Sequence, residues 1–284
     1  MPKILIVTDS SASIDLDVAK QHGIEIVPLS VELDGKVYRD QLDMSGAELR
    51  EKLKQKAAPK TSQPNLGYVN DLMVKWKSEG WDDIIIFSLS SYLSGTFQGY
   101  NLAKMDNDMD NVTIVDTFTL AGTLRDITFK AASMVKEGKS KEEILAMAQT
   151  VIDMTQAFLI PENLDQLVRG GRVSPTLKTV ATLLKLRTLA VLRNKGKSFD
   201  KAGTSRTEAG VFKMVIDDFA EKGVAVGVTK FVICECEAVD IAERLKAALI
   251  ERFGPVDVDV IQLPVTLTAH AGLRAVSIQS SLVL

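Results

Sequence analysis

The chain has 284 residues, of which 46% are hydrophobic and 25% charged, and a formal net charge of −3. Such a composition is that of a soluble globular protein with a sizeable core, in one large domain or two ordinary ones. The slightly acidic balance argues against a nucleic-acid partner, which needs a concentrated basic surface. The opening MPKILIVTDS lacks a signal-peptide h-region, and nothing later approaches the roughly 20 apolar residues of a bilayer span, so the cytoplasm is expected.

In chain order, ILIVTDSS reads as an apolar strand closed by a turn, followed by a helix from about Asp15 to His22. GIEIVPLSVEL reads as one further strand. Ser45, with Glu48 three residues on, forms a capping box opening a polar helix to Lys56. Pro59 to Pro64 reads as a turn-rich loop. A helix from about Gly67 to Glu79, the strand DDIIIFSLS, a short helix from Thr96, the strand NVTIVD and a helix through Ala131 and Met134 complete the first half. Strands that are apolar throughout and alternate with helices predict a parallel sheet covered on both faces. From Gln156 the pattern changes: amphipathic helices from Glu208 to Lys222 and Ala238 to Phe253 alternate with FVICECE and VDVDVIQL, whose polar–apolar alternation predicts an α+β unit. The expected organisation is an N-terminal α/β domain over residues 1–155 and a C-terminal α+β domain over 156–284.

The two cysteines, Cys234 and Cys236, project from one face of one strand. That spacing suits neither a disulfide nor, without further ligands, a metal, and predicts two small buried hydrophobes.

Three hydroxyl-rich loops carry the functional signal. They are Thr8-Asp9-Ser10-Ser11, Thr61-Ser62-Gln63-Pro64 and Ser90 to Thr96 within SLSSYLSGTFQ. Ligands of open α/β sheets lie outside the carboxyl ends of the strands, where these loops are expected to meet. Ser94-Gly95-Thr96 opens a helix whose first amides are unpaired and partly positive, and glycine permits close approach, which together describe an anion site. The lysine and glycine spacing of a phosphate loop are absent, so a carboxylate fits better. The plainer reading, serines that merely cap helices and close turns, suits one such loop better than three converging ones.

The same residues carry a resemblance. TDSS, TSQP at Thr61 to Pro64, LSSYLSGTFQ and GGR at Gly170 to Arg172 follow the order and spacing of the DegV family over essentially the whole chain. The resemblance implies an α/β, two-domain DegV-like fold: a Rossmann-like parallel-sheet domain, then an α+β domain, with a long-chain fatty acid between them. It implies Thr61 and Ser94 as carboxylate ligands assisted by Ser62 and the Gly95 amide, and Arg172, Arg206 and His270 at the pocket mouth, where the family meets a fatty acid kinase that makes acyl phosphate. It implies a bacterial carrier with no catalysis, cofactor or metal of its own, compatible with transient membrane-surface contact. The segment His270-Ala271-Gly272-Leu273-Arg274 departs from the family's His-Thr-Gly-Pro-Gly pattern, which weakens the kinase connection and leaves fatty-acid binding untouched. Gly99-Tyr100 is a second departure, Tyr100 either shortening the pocket or facing solvent.

Other residues read more plainly. His22 suits a helix C-terminus. Asp9 and Asp116, after strands, suit turns in which they accept from backbone amides. Ser205 is a plausible N-cap beside Arg206. The competing class is a lipid ester or thioester hydrolase using Ser94, with His270 as base and Asp9 as orienter, but G-x-S-x-G is absent.

Overall fold

The structure, a computed structural model, describes residues 2–173, 186–193 and 198–284. Its first unit is a parallel sheet of β1 (Ile4–Asp9), β2 (Ile24–Val27), β6 (Asp83–Ser88) and β7 (Val112–Asp116), in the order β2-β1-β6-β7. Apolar residues at every strand position are what a sheet covered on both faces requires. Ile4 and Ile6 of β1 join Ile85 and Phe87 under α5 (Ala121–Lys136) and α6 (Lys141–Met154). Leu5 and Val7 point the other way, with Ile84 and Ile86, onto Val69, Met73 and Trp76 of α3 (Leu66–Glu79) and Ala103 of α4 (Thr96–Asp106).

The second sheet is mixed and six-stranded, β10-β9-β8-β13-β11-β12. It comprises β8 (Gln156–Ile160), β9 (Arg187–Arg193), β10 (Ser198–Ser205), β11 (Thr229–Glu235), β12 (Asp257–Gln262) and β13 (Val276–Leu282). Only β11 and β12 pair in parallel. The period of two divides its faces: Phe158, Phe231 and Ile233 pack under α8 (Glu208–Lys222) and α9 (Val239–Phe253), whereas Leu159, Val232 and Cys234 turn toward Ala121 of α5. The two sheets therefore share an apolar seam. It is pinned by Thr123 N–H donating to Gln279 Oε1 at 2.9 Å, and by Lys230 Nζ, 3.1 Å from Asp126 and 3.0 Å from Asp259.

Between β2 and α3 lies an antiparallel sheet that the sequence reading did not find. It is made of β3 (Ser30–Leu33), β4 (Lys36–Arg39) and β5 (Lys60–Ser62), in the order β4-β3-β5. GIEIVPLSVEL is thus two strands in two sheets: Pro28 has no amide to continue a ladder, and the chain changes sheets there. TSQP is likewise not wholly a loop, since Thr61 pairs with Val31 and Ser62 with Ser30. This small sheet, with α2 (Gly46–Lys54), covers α10 (Val265–Ala271), so Val31, Leu33, Leu49 and Leu53 share a core with Val265 and Ala269. The capping box at Ser45 and Glu48 is present. Asp15 precedes α1 (Leu16–His22), and His22 is exposed in its last turn. The N-cap of α8 is Thr207 rather than Ser205, which instead accepts from the Thr207 amide. Tyr100 neither shortens a pocket nor faces solvent; it is buried in the core beneath α3.

Candidate functional site: hydroxyl loops beside an apolar cavity

The carboxyl ends of β1, β6 and β7 are tied together by their own turn residues. Asp9 accepts from the Ser11 amide and hydroxyl and, through Oδ2 at 2.8 Å, from the Leu89 amide. Asp116 Oδ1 accepts from the amides of Ser91 and Phe118, both at 3.1 Å. These carboxylates therefore shape the loop after β6, as expected of Asx-type turn formers. Burial pushes the carboxyls of Asp9 and Asp40 up to about 6, with repulsion from Asp40 adding to the Asp9 shift. A carboxyl raised in the folded state favours folding below its unfolded pKa, and that contribution is lost as pH rises through about 6. Asp9→Asn should consequently flatten the pH dependence of unfolding free energy between about 4 and 6, as read from denaturant titrations across that range. A variant whose slope matched the parent's would show that Asp9 is not the titrating group.

That loop runs through Leu93 to Gly95, the N-cap residue of α4. Ser94 Oγ lies 2.8 Å from Thr96 Oγ1 and accepts from the Thr96 amide at 3.3 Å. A Cβ at Gly95 would overlap Gln63 Oε1, and one at Gly99 would lie 3.6 Å from Gln63 Nε2. The missing side chain of Gly95 is thus what leaves room for Gln63 of the TSQP segment over the start of α4.

On the other side of that segment, Thr61 Oγ1 lies 2.6 Å from His270 Nε2 in the last turn of α10. Burial first, and then the Arg172 charge, lower the His270 pKa to about 4, so the imidazole is neutral at pH 7. Gly170 lies directly under the imidazole, where a Cβ would overlap Nδ1. Arg172 donates through Nη1 to the Gly170 carbonyl at 2.5 Å, and through Nε and Nη2 to the Leu93 carbonyl at 3.2 and 3.0 Å. Contacts therefore run from Thr61 through His270, Gly170 and Arg172 to Leu93, adjacent to Ser94. Ser62 and Gly95 are exposed beside them. Arg206 is exposed in the turn between β10 and α8 and takes no part in this chain of contacts.

An apolar cavity of about 50 Å³ adjoins the cluster. Its wall includes His270, Leu120 and Ala121 from the entry to α5, Leu159 from β8 and Leu267 from α10, so it occupies the seam between the sheets. Gln279, in its wall, spans the seam, donating to the Leu120 carbonyl at 2.8 Å and accepting from Thr123. A lone glutamine in a strand gives no local sign of that task. Cys234 and Cys236 are buried, with thiols pushed up to about 12 and about 11, chiefly by burial. Among the described residues, no three histidine, cysteine or carboxylate side chains are grouped to hold a metal ion. The hydrolase arrangement is not assembled either: His270 bonds Thr61, Ser94 pairs with Thr96, and Asp9 is committed to Ser11 and Leu89.

Fold and site together define an α/β protein in which hydroxyl-bearing loops close one end of an apolar seam between two sheets. The family model described as "Uncharacterised protein, DegV family" matches residues 3–282, and the chain belongs to that family. It is 30% identical, over 96% of both chains, to DegV domain-containing protein BH3627 of Halalkalibacterium halodurans. Among solved structures it is similar to a DegV family protein from Thermus thermophilus described by its fatty acid binding, with a TM-score of 0.89, 26% identity and 100% of each chain covered. It shares its fold with the Streptococcus pneumoniae fatty acid kinase (Fak) B3 protein loaded with linoleic acid, at a TM-score of 0.84 and 18% identity, over 99% of this chain and 100% of that one.

Proposed function

We propose that this protein binds a long-chain fatty acid, with the acyl chain in the seam between the sheets and the carboxylate on Thr61 and Ser94. The observation that carries this reading is the pairing behind each hydroxyl. A neutral imidazole whose Nε2–H donates to Thr61 Oγ1 leaves the Thr61 proton to point outward, and Thr96 can do the same for Ser94. Each hydroxyl then donates one charge-assisted bond, strengthened by the donor behind it. Ser62 and the Gly95 amide lie alongside to complete the carboxylate's shell.

The tail supplies the affinity: about 14 methylenes at roughly 0.8 kcal/mol each give on the order of 11 kcal/mol before ordering costs. The head group must avoid the several kcal/mol that an unpaired buried carboxylate would cost. Sites that enclose drug-sized ligands run to roughly 300–1,000 Å³. A cavity of about 50 Å³ therefore holds an acyl chain only after its walls part. The division at residues 155 and 156, which separates the parallel sheet from the mixed one, is where we place the boundary between the two moving bodies.

In this reading the protein is a carrier that turns over no substrate and needs no cofactor. Its finer role is to present the bound acid to a fatty acid kinase in the cytoplasm, with Arg172, Arg206 and His270 at the mouth and transient contact with a membrane surface during exchange. Among the described residues, no helix is long and apolar enough to cross a membrane.

Native mass spectrometry of protein purified from cells, followed by lipid extraction, tests the reading. A carrier should arrive with one fatty acid bound per chain. Protein that arrives empty and then fails to take up palmitate or oleate would overturn it. Turnover of p-nitrophenyl palmitate that disappears in Ser94→Ala would replace it with the hydrolase.

A further inference from the structure

We propose that Asp40 is a positioning residue for the carboxylate site, holding His270 against Thr61 through the short helix α10. The proposal rests on the fatty-acid reading for its consequence, and on the helix geometry for its substance.

Helix α10 has only seven residues, and its N-cap, Pro264, contributes no side-chain cap. Its first amides would be left unpaired in a buried place, at the free-energy cost of a lost hydrogen bond. Asp40, just beyond β4, takes that role from a distant part of the sequence. Its Oδ2 accepts from Thr266 Oγ1 at 2.8 Å and the Thr266 amide at 3.2 Å. Ser10 Oγ donates to the same oxygen at 2.9 Å while accepting from the Leu29 amide at 3.1 Å. One carboxylate thus joins the ends of β1 and β4, the approach to β3 and the start of α10.

Asp40 is fully buried and, among the described residues, no cation bonds it and its Oδ1 has no hydrogen-bond partner. A serine or threonine would cap a helix without that desolvation cost. What the carboxylate adds is the capacity to take several donors at once and a favourable charge at the helix N-terminus. About 6 Å along the axis from Thr266, in the last turn, the same helix carries His270. The clamp to β1 and β4 at its start holds α10 in the placement in which Nε2 meets Thr61. The proton on the Thr61 hydroxyl then points to where a carboxylate would lie.

The chain has two histidines, so His22→Gln assigns the His270 imidazole in long-range ¹H–¹⁵N spectra of the delipidated full-length protein. In the parent, His270 should show one fixed neutral tautomer at neutral pH. Asp40→Asn should move those resonances toward exchanging tautomers and lower oleate affinity about tenfold, one hydrogen bond's worth. Gly170→Ala, whose methyl would overlap the imidazole, supplies the signature of a displaced His270 without touching Asp40. Thr266→Val removes the hydroxyl half of the clamp and carries the test if Asp40→Asn does not fold.

A folded Asp40→Asn with parental His270 resonances overturns the proposal, as does a Thr266→Val with parental resonances where Asp40→Asn fails to fold. Shifted resonances with unchanged oleate affinity overturn the positioning role. A parent that binds no fatty acid defeats the carrier reading while leaving the resonance test intact.

Discussion

The double variant Thr61→Ala/Ser94→Ala should bind oleate and palmitate at least a hundredfold more weakly than the parent. A hydrogen bond to a charged group contributes roughly 1.5–3 kcal/mol, and each alanine removes one donor, which is about 10–150-fold per site. The losses need not add, because the two hydroxyls would share one head group. The apolar tail keeps its full driving force, so residual binding should persist with the carboxyl mis-set. Fatty alcohols, which bring no charge, should discriminate far less between parent and variant. Titration calorimetry with acid and alcohol of equal chain length separates the contributions. Thr61→Ser, which keeps a hydroxyl against His270, should retain most of the affinity. Parental acid affinity in the double variant would remove the head-group assignment altogether.

Gly122→Ala should be the most damaging single methyl in the molecule. A Cβ there would overlap Val232 Cγ1 and lie 3.0 Å from Gln279 Oε1. Neither neighbour can yield cheaply. Val232 is buried on β11, between β13 and β12, and Gln279 holds the Thr123 amide, the Leu120 carbonyl and the Thr119 hydroxyl. Overpacking costs about 1–3 kcal/mol, and freeing the Gln279 partners adds about 1–3 more. A fall in melting temperature on the order of 5–15 °C follows for a chain of this size. Thermal unfolding followed by circular dichroism measures it. An unchanged melting temperature would mean that the seam between the sheets has slack at α5.

How much of this was legible in the sequence depended on distance along the chain. Local signals served well: Glu208 to Lys222 is a helix as its apolar spacing requires, Ser45 and Glu48 form their capping box, and Ser94-Gly95-Thr96 opens α4. The loop residues of the site were visible because hydroxyls and glycine clustered after an apolar strand are unusual in themselves. Strands of three and four residues were not visible, because β5 offers only Lys60 to Ser62 and cannot display a period. His270 sits in the seven-residue helix VTLTAHA, whose start is tied to Asp40, far away in sequence, so no local pattern announces it. Asp40 itself carries no local signal; in KVYRDQLD it reads as an ordinary turn aspartate. Which polar residues face one another across a fold is a property of packing, and spacing alone does not contain it.

The small sheet beneath α10 bears on the order of events at synthesis. Residues 30–62 are made early, yet the core of Val31, Leu33, Met44, Leu49 and Leu53 is completed by Val265 and Ala269, some 200 positions later. A chain still on the ribosome must carry that greasy surface uncovered until nearly its last residues emerge, a state that invites aggregation or chaperone capture. The hydroxyl of Thr61 acquires its imidazole at the same late moment, so a product truncated before α10 would lack the Thr61–His270 contact.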